Sequence, residues 1–417
     1  MVKKLCMIWL VIAVGIQISE AAAQDPTGAR WINISDALIA AVTNSGTQIK
    51  WPGNTGGVAV DRTTGNVFLE VCNLGLWKSA DHGRTFTHVG EGKISGRCEF
   101  GYAMNCDPAS SRIACFMLDG NCGMTLDGGK TWQPFAPMGR NWDYGAVDWA
   151  DSKGKSIFAA RHESGGELYT SVDAGASWHF IGKHPEFNSV GVFNSLTLVA
   201  GREDGIVRSA NGGESWAKVS DFHPVGRVAV SFDRLTYWLA REGIISSSDL
   251  GATWQRVGDP VDAGWGPLFG KNAQQILVAD FQGFLKTVDG GKTWERIAPM
   301  PPFQGGLVPK LPGQFITIGW DPNANILYAS RMGSAAYRLQ LDTPLSSGKE
   351  FDMRLALELT DASSGSSNGK HANDYHPNVL PFHPQLATLT TARLRKIPFS
   401  AYLLALQEEN PEERGEF

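Results

Sequence analysis

Apolar and polar residues alternate with a period of two over many short stretches of this chain. Gly57-Val-Ala-Val-Asp61, Asn66-Val-Phe-Leu-Glu-Val71 and Gly75-Leu-Trp-Lys follow one another closely. Such runs, rich in β-branched residues and bounded by Gly, Asn and Asp, predict strands. The set recurs down the chain, with inner runs such as Gly226-Arg-Val-Ala-Val-Ser231, middle runs such as Ser156-Ile-Phe-Ala-Ala160, and outer runs such as Gly205-Ile-Val-Arg and Gly283-Phe-Leu-Lys. Six times the third run ends in one phrase. It appears as Ser79-Ala-Asp81-His-Gly83-Arg-Thr85-Phe86 and Thr125-Leu-Asp127-Gly-Gly129-Lys-Thr131-Trp132, then around Asp173, Asn211, Asp249 and Asp289. The closing aromatic recurs after 46, 46, 38, 38 and 40 residues. About four short strands in a repeat near 40 residues predict a β-propeller.

A seventh unit lacks the phrase but keeps three runs: Phe315-Ile-Thr-Ile-Gly319, Asn325-Ile-Leu-Tyr-Ala329 and Ala335-Ala-Tyr-Arg-Leu-Gln340. Trp31-Ile-Asn-Ile-Ser35 supplies a fourth strand from the other end of the chain. That closure would leave no open sheet edge. The expected fold is all-β and seven-bladed, with six blades as the alternative count. In the phrase itself, an Asp or Asn accepts hydrogen bonds from backbone N–H groups just downstream, and Gly two residues on supplies a positive φ. The closing Trp can pack between neighbouring sheets. Asp81, Asp127, Asp173, Asn211, Asp249 and Asp289 are therefore read as structural turn residues.

Composition narrows the classes. Hydrophobic residues make up 42% of the chain, enough for a core, and Gly numbers 48, as many tight turns require. A net charge of -5 gives no basic field, so nucleic-acid binding is not expected. Lys3 and Lys4, the apolar run Leu5 to Ile18 and Ala21-Ala22-Ala23 form the pattern of a cleaved signal peptide over residues 1–23. The expected localisation is secreted or periplasmic, with no membrane span after cleavage. The propeller is assigned to 24–342 and a flexible C-terminal tail to 343–417, where Ser- and Gly-rich sequence precedes His371, His376 and His383. These histidines are read as polar tail rather than as metal ligands. After the leader, five cysteines lie between Cys72 and Cys122, and an oxidising destination permits disulfides. A hairpin turning near residues 107–111 would set Cys98 beside Cys122, the expected pair.

The six phrases resemble the Asp-box (BNR) repeat, Ser-x-Asp-x-Gly-x-Thr-Trp, of sialidases, Asp-box glycosidases, sortilin-type receptors and photosystem II assembly factors. The resemblance covers residues 57–341. It implies a propeller whose box turns lie opposite the usual binding face, and it leaves function open, since those families do unrelated things. The first blade lacks the Arg-Ile-Pro motif of sialidases. Cys72 and Asn73 stand where the xyloglucan-hydrolysing family places a catalytic Asp.

Candidate chemistry lies in the other loops. Arg161, Arg202, Arg241 and Arg331 occupy like positions in separate blades, and a ring of guanidinium groups suits carboxylate, sulfate or phosphate. The opposing reading pairs each Arg with a neighbouring Glu. Loops between blades add Glu99, Asp143, Tyr144, His223 and Trp265, together with Arg140 and Arg227. Asp143 and Glu99 suit acid–base glycoside chemistry, and Tyr144 suits proton abstraction in a lyase. Trp265 and His223, with the four arginines, are the expected ligand-binding set. No P-loop or H-E-x-x-H pattern occurs, and no cofactor is expected. Two functions follow: a hydrolase or lyase acting on an anionic glycan, or a non-catalytic propeller docking an acidic partner through an Arg-lined face.

Overall fold

The computed structural model describes residues 30–341, apart from 91, 137–140, 227, 232–234 and 310–312. The leader, the tail, Arg140 and Arg227 lie outside the described residues. The alternating runs become seven four-stranded antiparallel sheets arranged as the blades of a propeller. Strand β1 (Ile32–Asn33) and helix α1 (Asp36–Asn44) come first. Blade one holds β2 (Thr55–Val60), β3 (Val67–Val71), β4 (Gly75–Ser79) and β5 (Thr87–Val89). Blade two holds β6 (Met104–Cys106), β7 (Ile113–Cys115), β8 (Gly123–Thr125) and β9 (Gln133–Pro134). Blade three holds β10 (Trp142–Val147), β11 (Ile157–Arg161), β12 (Glu167–Ser171) and β13 (His179–Lys183). Blade four holds β14 (Phe187–Val192), β15 (Leu198–Arg202), β16 (Gly205–Ser209) and β17 (Ala217–Ser220). Blade five holds β18 (Ala229–Val230), β19 (Thr236–Ala240), β20 (Gly243–Ser247) and β21 (Gln255–Arg256). Blade six holds β22 (Trp265–Phe269), β23 (Ile276–Asp280), β24 (Gly283–Thr287) and β25 (Glu295–Pro299). Blade seven holds β26 (Ile316–Asp321), β27 (Ile326–Arg331) and β28 (Ala336–Gln340), with β1 as its outermost strand.

The ring closes through that last pairing, in which Ile32 faces Arg338 and Asn33 faces Tyr337. The Ala336 N–H donates to Ser35 Oγ at 3.0 Å, and Trp31 Nε1 donates to Pro299 O of blade six at 3.1 Å. Helix α1 is an addition that the period-two reading did not anticipate. It starts where Asn33 Oδ1 accepts the N–H groups of Ser35 and Asp36, which turns the chain out of the strand.

In the repeated phrase, Asp127 Oδ1 accepts the N–H groups of Lys130 and Thr131 at 3.0 and 2.9 Å, and Oδ2 accepts the Thr131 hydroxyl at 2.6 Å. The Thr125 hydroxyl donates to Asp127 and accepts the Gly129 N–H at 2.8 Å, with Gly129 at φ +82°. Asp81, Asp173, Asn211, Asp249 and Asp289 make the same turn. The closing aromatics pack between blades: Trp132 stands edge-on to Phe68 of blade one, and Trp178 edge-on to Phe135 of blade two. A second repeated device sits in the turns between first and second strands. Asp61, Asp107, Asp151, Asn194, Asn272 and Asp321 each accept the N–H two residues on. Antiparallel topology sends both sets of turns to one end of the ring. The loops between second and third strands and between blades emerge at the other end.

The cysteines depart from expectation. Cys72, Cys98, Cys106, Cys115 and Cys122 are thiols, and no Cys98–Cys122 bond is formed. The turn near 107–111 joins β6 to β7, where Met104 faces Cys115 and Cys106 faces Ile113, so it sets no two cysteines opposite each other. Cys122 Sγ instead meets the backbone N and O of Met117 at 3.0 and 3.3 Å.

Candidate functional site

At the end of the ring away from the Asp turns, the chain entering blade two crosses to blade seven. The Phe315 N–H donates to Glu99 O at 2.6 Å, and Phe100 forms a bridge with Gln314. These contacts fix Glu99 near the channel mouth. The next residues, Phe100 and Tyr102, pack against Tyr144, with ring centroids 5.3 and 5.6 Å from it. Below them a cavity runs down the axis, walled by glycine and aliphatic residues of the inner strands together with Trp149, Trp265, Trp320, Arg62 and Asp107.

Asp143 reaches the same place because β10 bulges. Trp142 pairs with Arg161 and Tyr144 with Ala160, so Asp143 falls out of the ladder and its side chain is re-aimed. His162 follows directly after β11. Its N–H donates to Asn141 O at 2.9 Å, and its Nδ1 lies 2.6 Å from Asp143 Oδ1. Glu163 Oε1 is 3.6 Å from its Nε2. One donor atom each from Glu99, Asp143 and His162 lie within 4.8 Å of one another. Three non-glycine residues around the cluster hold positive φ, Asp119 at +56°, Asn141 at +58° and Glu163 at +48°. Asp119 and Asn141 are joined by a hydrogen bond of 2.7 Å.

The electrostatics separate the two carboxyl groups. Burial, reinforced by the charge of Asp143, pushes Glu99 up to about 7, against the opposing pull of His162, Arg97 and a hydrogen bond with Gln314. Burial pushes His162 down, but its hydrogen bond to Asp143 and the charges of Asp143, Glu99 and Glu163 outweigh it, so His162 is raised overall. Glu99 is thus half-titrated near pH 7, and the hydrogen bond to Asp143 makes His162 hold its proton more firmly than a free imidazole.

Glu99, Asp143 and His162 offer atom types that a metal ion could bind. Two donors on one ion at about 2.1 Å sit roughly 3 Å or more apart. Nδ1 of His162 and Oδ1 of Asp143 are 2.6 Å apart, a hydrogen bond rather than a shared ion. The set is arranged as a proton network.

The other expected residues are placed differently. Tyr144 is buried, its hydroxyl donates to Phe187 O at 3.2 Å, and burial drives its pKa far up, so it is a wall residue and not a base. Trp265 is 2% exposed and packs edge-on to Phe281, so it offers no face to a sugar. Arg331 is 4% exposed, stands 5.1 Å over the Phe303 ring and donates to the Gly305 carbonyl. Burial lowers its pKa to about 10. A shared ring of four guanidinium groups therefore does not form. Arg161 lies 3.5 Å from Glu167, and Arg202 donates to Asp204 at 2.9 Å, each within its own blade. The Arg241 N–H donates to the His223 carbonyl at 2.9 Å, and His223 Nδ1 meets Glu242 Oε1 at 2.5 Å. The structure brings Glu99 and Asp143 together and adds His162, which no spacing in the sequence singled out.

The fold and this cluster define a seven-bladed β-propeller with a carboxylate–histidine network at one end of its channel. No protein-family model matches the sequence, and no curated protein matches it. Solved propellers are similar in shape. YCF48 bound to D1 peptide is 15% identical, covering 77% of this chain and 97% of that one, with a TM-score of 0.43. An ancestral GH74 enzyme is 17% identical over 68% of this chain and 44% of that one, with a TM-score of 0.44. The Myceliophteria thermophila Cps50 (Swd1) propeller domain is 11% identical over 71% of this chain and 99% of that one, with a TM-score of 0.49.

Proposed function

We propose that this propeller is an exported glycoside hydrolase in which Glu99 is the general acid and Asp143 the ionised partner. The observation that carries the reading is the pair itself. Two carboxyl groups lie within 4.8 Å, with Glu99 held protonated to about 7 and Asp143 bonded to His162. A carboxyl raised by burial beside a second carboxyl suits a division into acid and nucleophile or base. Their closeness supports double displacement, where the groups stand about 5–5.5 Å apart, over single displacement through an intervening water. His162 orients Asp143 and stabilises its charge.

Hydrolysis is favoured over elimination because the Tyr144 hydroxyl is spent on Phe187 O. A requirement for an anionic glycan loses its support with Arg331 buried and Arg161 and Arg202 paired to carboxylates, so the substrate proposed is a glycan without an obligatory acidic group. The Arg-lined docking face weakens for the same reason. Export rests on the charged, apolar and small-residue pattern of residues 1–23. The test is release of reducing ends from a panel of neutral, uronic and sialylated oligosaccharides. The parent should cleave a member of the panel, Asp143→Asn and Glu99→Gln should lose activity by about 100-fold or more, and both variants should melt like the parent. Equal cleavage by parent and variants would exclude these residues.

A further inference from the structure

Among the described residues nine large hydrophobic side chains are exposed, and five of them stand at the end of the ring that bears the Asp turns. Leu126, Val172, Leu250 and Val288 lie in turns between third and fourth strands, and Leu196 lies in the turn between β14 and β15. Each is between 42% and 59% exposed. Val172, Leu196 and Leu250 fall in three neighbouring blades. The Gly212 N–H of the blade-four Asp turn donates to Leu196 O at 2.9 Å, and a Cβ on the next residue, Gly213, would stand 2.6 Å from Ile181 of blade three. A Cβ on Gly251 of the blade-five turn would stand 3.0 Å from the Phe193 ring, in the same loop as Leu196. Arg208 Nε of blade four donates to Leu250 O at 2.9 Å. The turns of blades three, four and five therefore pack side by side. Their repeated phrases, 171–178, 209–216 and 247–254, hold the carboxyl groups of Asp173, Glu214 and Asp249 and no Lys or Arg.

The chain leaves the ring at this same end. β28 runs from the loop after Arg331 toward the Asp turns, as β4 does toward Ser79, so Leu341 emerges there. Residues 342–417 follow. They contain Phe399, Tyr402, Leu403 and Leu406, spaced as one face of a helix, just after Arg393, Arg395 and Lys396. Residues 342–392, with Ser363-Ser-Gly-Ser-Ser-Asn-Gly369, form a tether whose average reach at that length is about 40 Å. The residues leading into β1, Gln24-Asp-Pro-Thr-Gly-Ala29, hold no large apolar side chain. We infer that residues 393–406 dock on the Asp-turn end of their own propeller, the apolar face over Val172, Leu196 and Leu250 and the three cations toward Asp173, Glu214 and Asp249. Tethering raises the local concentration of the segment to roughly millimolar, so a small apolar contact holds where two free chains would part. The docked segment lies at the opposite end of the ring from Glu99, Asp143 and His162, and the inference is independent of the hydrolase reading.

The experiment is hydrogen–deuterium exchange of the full chain by mass spectrometry, read on peptides covering 399–407, for the parent and for the double variant Leu196→Ser/Leu250→Ser. Both positions are exposed, so the double variant should melt like the parent. In the parent the segment should exchange at least about tenfold more slowly than in the double variant, because docking must open before those amides meet solvent. Leu403→Asp should speed exchange at 399–407 and also in the turns around Leu196 and Leu250, which a change confined to the segment itself would not move. If the double variant does not fold, Leu403→Asp decides the matter. Equal exchange of 399–407 in parent and folded double variant overturns the inference, as do turns around Leu196 and Leu250 that are indifferent to Leu403→Asp. Protection that grows with protein concentration assigns the surface to a second copy and overturns docking within one chain.

Discussion

Single residues carry the strongest electrostatic consequences. Glu70 sits at 0% exposure, and burial raises it from 4.5 to about 8 against the pull of the Cys98 and Asn73 N–H groups and of Arg97. A carboxyl raised in the folded state keeps its proton when the unfolded chain has lost it. Its contribution to stability is therefore full below about 4.5 and is lost as pH rises through about 8. The penalty at the upper end should be on the order of a few kcal/mol. Glu70→Gln should leave the Tm at pH 4 nearly unchanged and raise it at pH 8. A parent and variant with parallel Tm-against-pH curves would show that Glu70 is not held neutral. At this scale the sequence was only partly legible. Glu99 and Asp143 stood out as loop carboxylates, but Glu70 and Arg97 look like ordinary charges in β-rich surroundings. Nothing local in the sequence reveals that the fold buries them. Arg331 misled for the opposite reason. It shares its offset with exposed or half-buried arginines, yet Phe303 and the carbonyl of Gly305 draw it inward.

Elements were the most readable level, because strand and turn are written in short-range chemistry. The six Asp or Asn turns follow from an acceptor side chain and a glycine at fixed offsets. Asp127 by itself accepts two backbone N–H groups and two hydroxyls. Asp127→Ala should cost on the order of 1–2 kcal/mol, discounted for the turn's exposure to water. Calorimetry of the variant checks this, and an unchanged Tm would demote the turn to a bystander. The bulge that frees Asp143 was not legible. Its signal is a register shift between β10 and β11, and register depends on how the two strands meet rather than on either alone. The cysteines failed as a guide for a related reason. The expected hairpin exists, but its register sets Cys115 against Met104 and Cys106 against Ile113.

At the level of the whole molecule, closure and site are linked. Strand β1 completes blade seven, and the segment before β26 holds Glu99 from the same blade through Phe315 and Gln314. Deleting residues 31–35 would remove the Ser35 and Trp31 hydrogen bonds and expose the edge of β28. The truncated chain should aggregate or melt clearly lower than the parent, by light scattering and calorimetry, and a truncated protein that melts like the parent would contradict closure by β1. Repetition made the ring legible from blade one to blade seven. The meeting of Glu99, Asp143 and His162 was not, because Asp143 and His162 meet through the register of β10 and β11, and Glu99 reaches them from the segment entering blade two.

The most direct measurement is the pH dependence of kcat/KM on a glycan cleaved in the screen. A protonated Glu99 and an ionised Asp143 should give a bell whose alkaline limb falls near pH 7, where Glu99 loses its proton. Glu99→Gln should abolish that limb along with most of the rate. A parent profile that stays level through pH 7 to 9, or a Glu99→Gln variant that keeps both rate and limb, would contradict the assignment of this carboxyl pair as the catalytic centre.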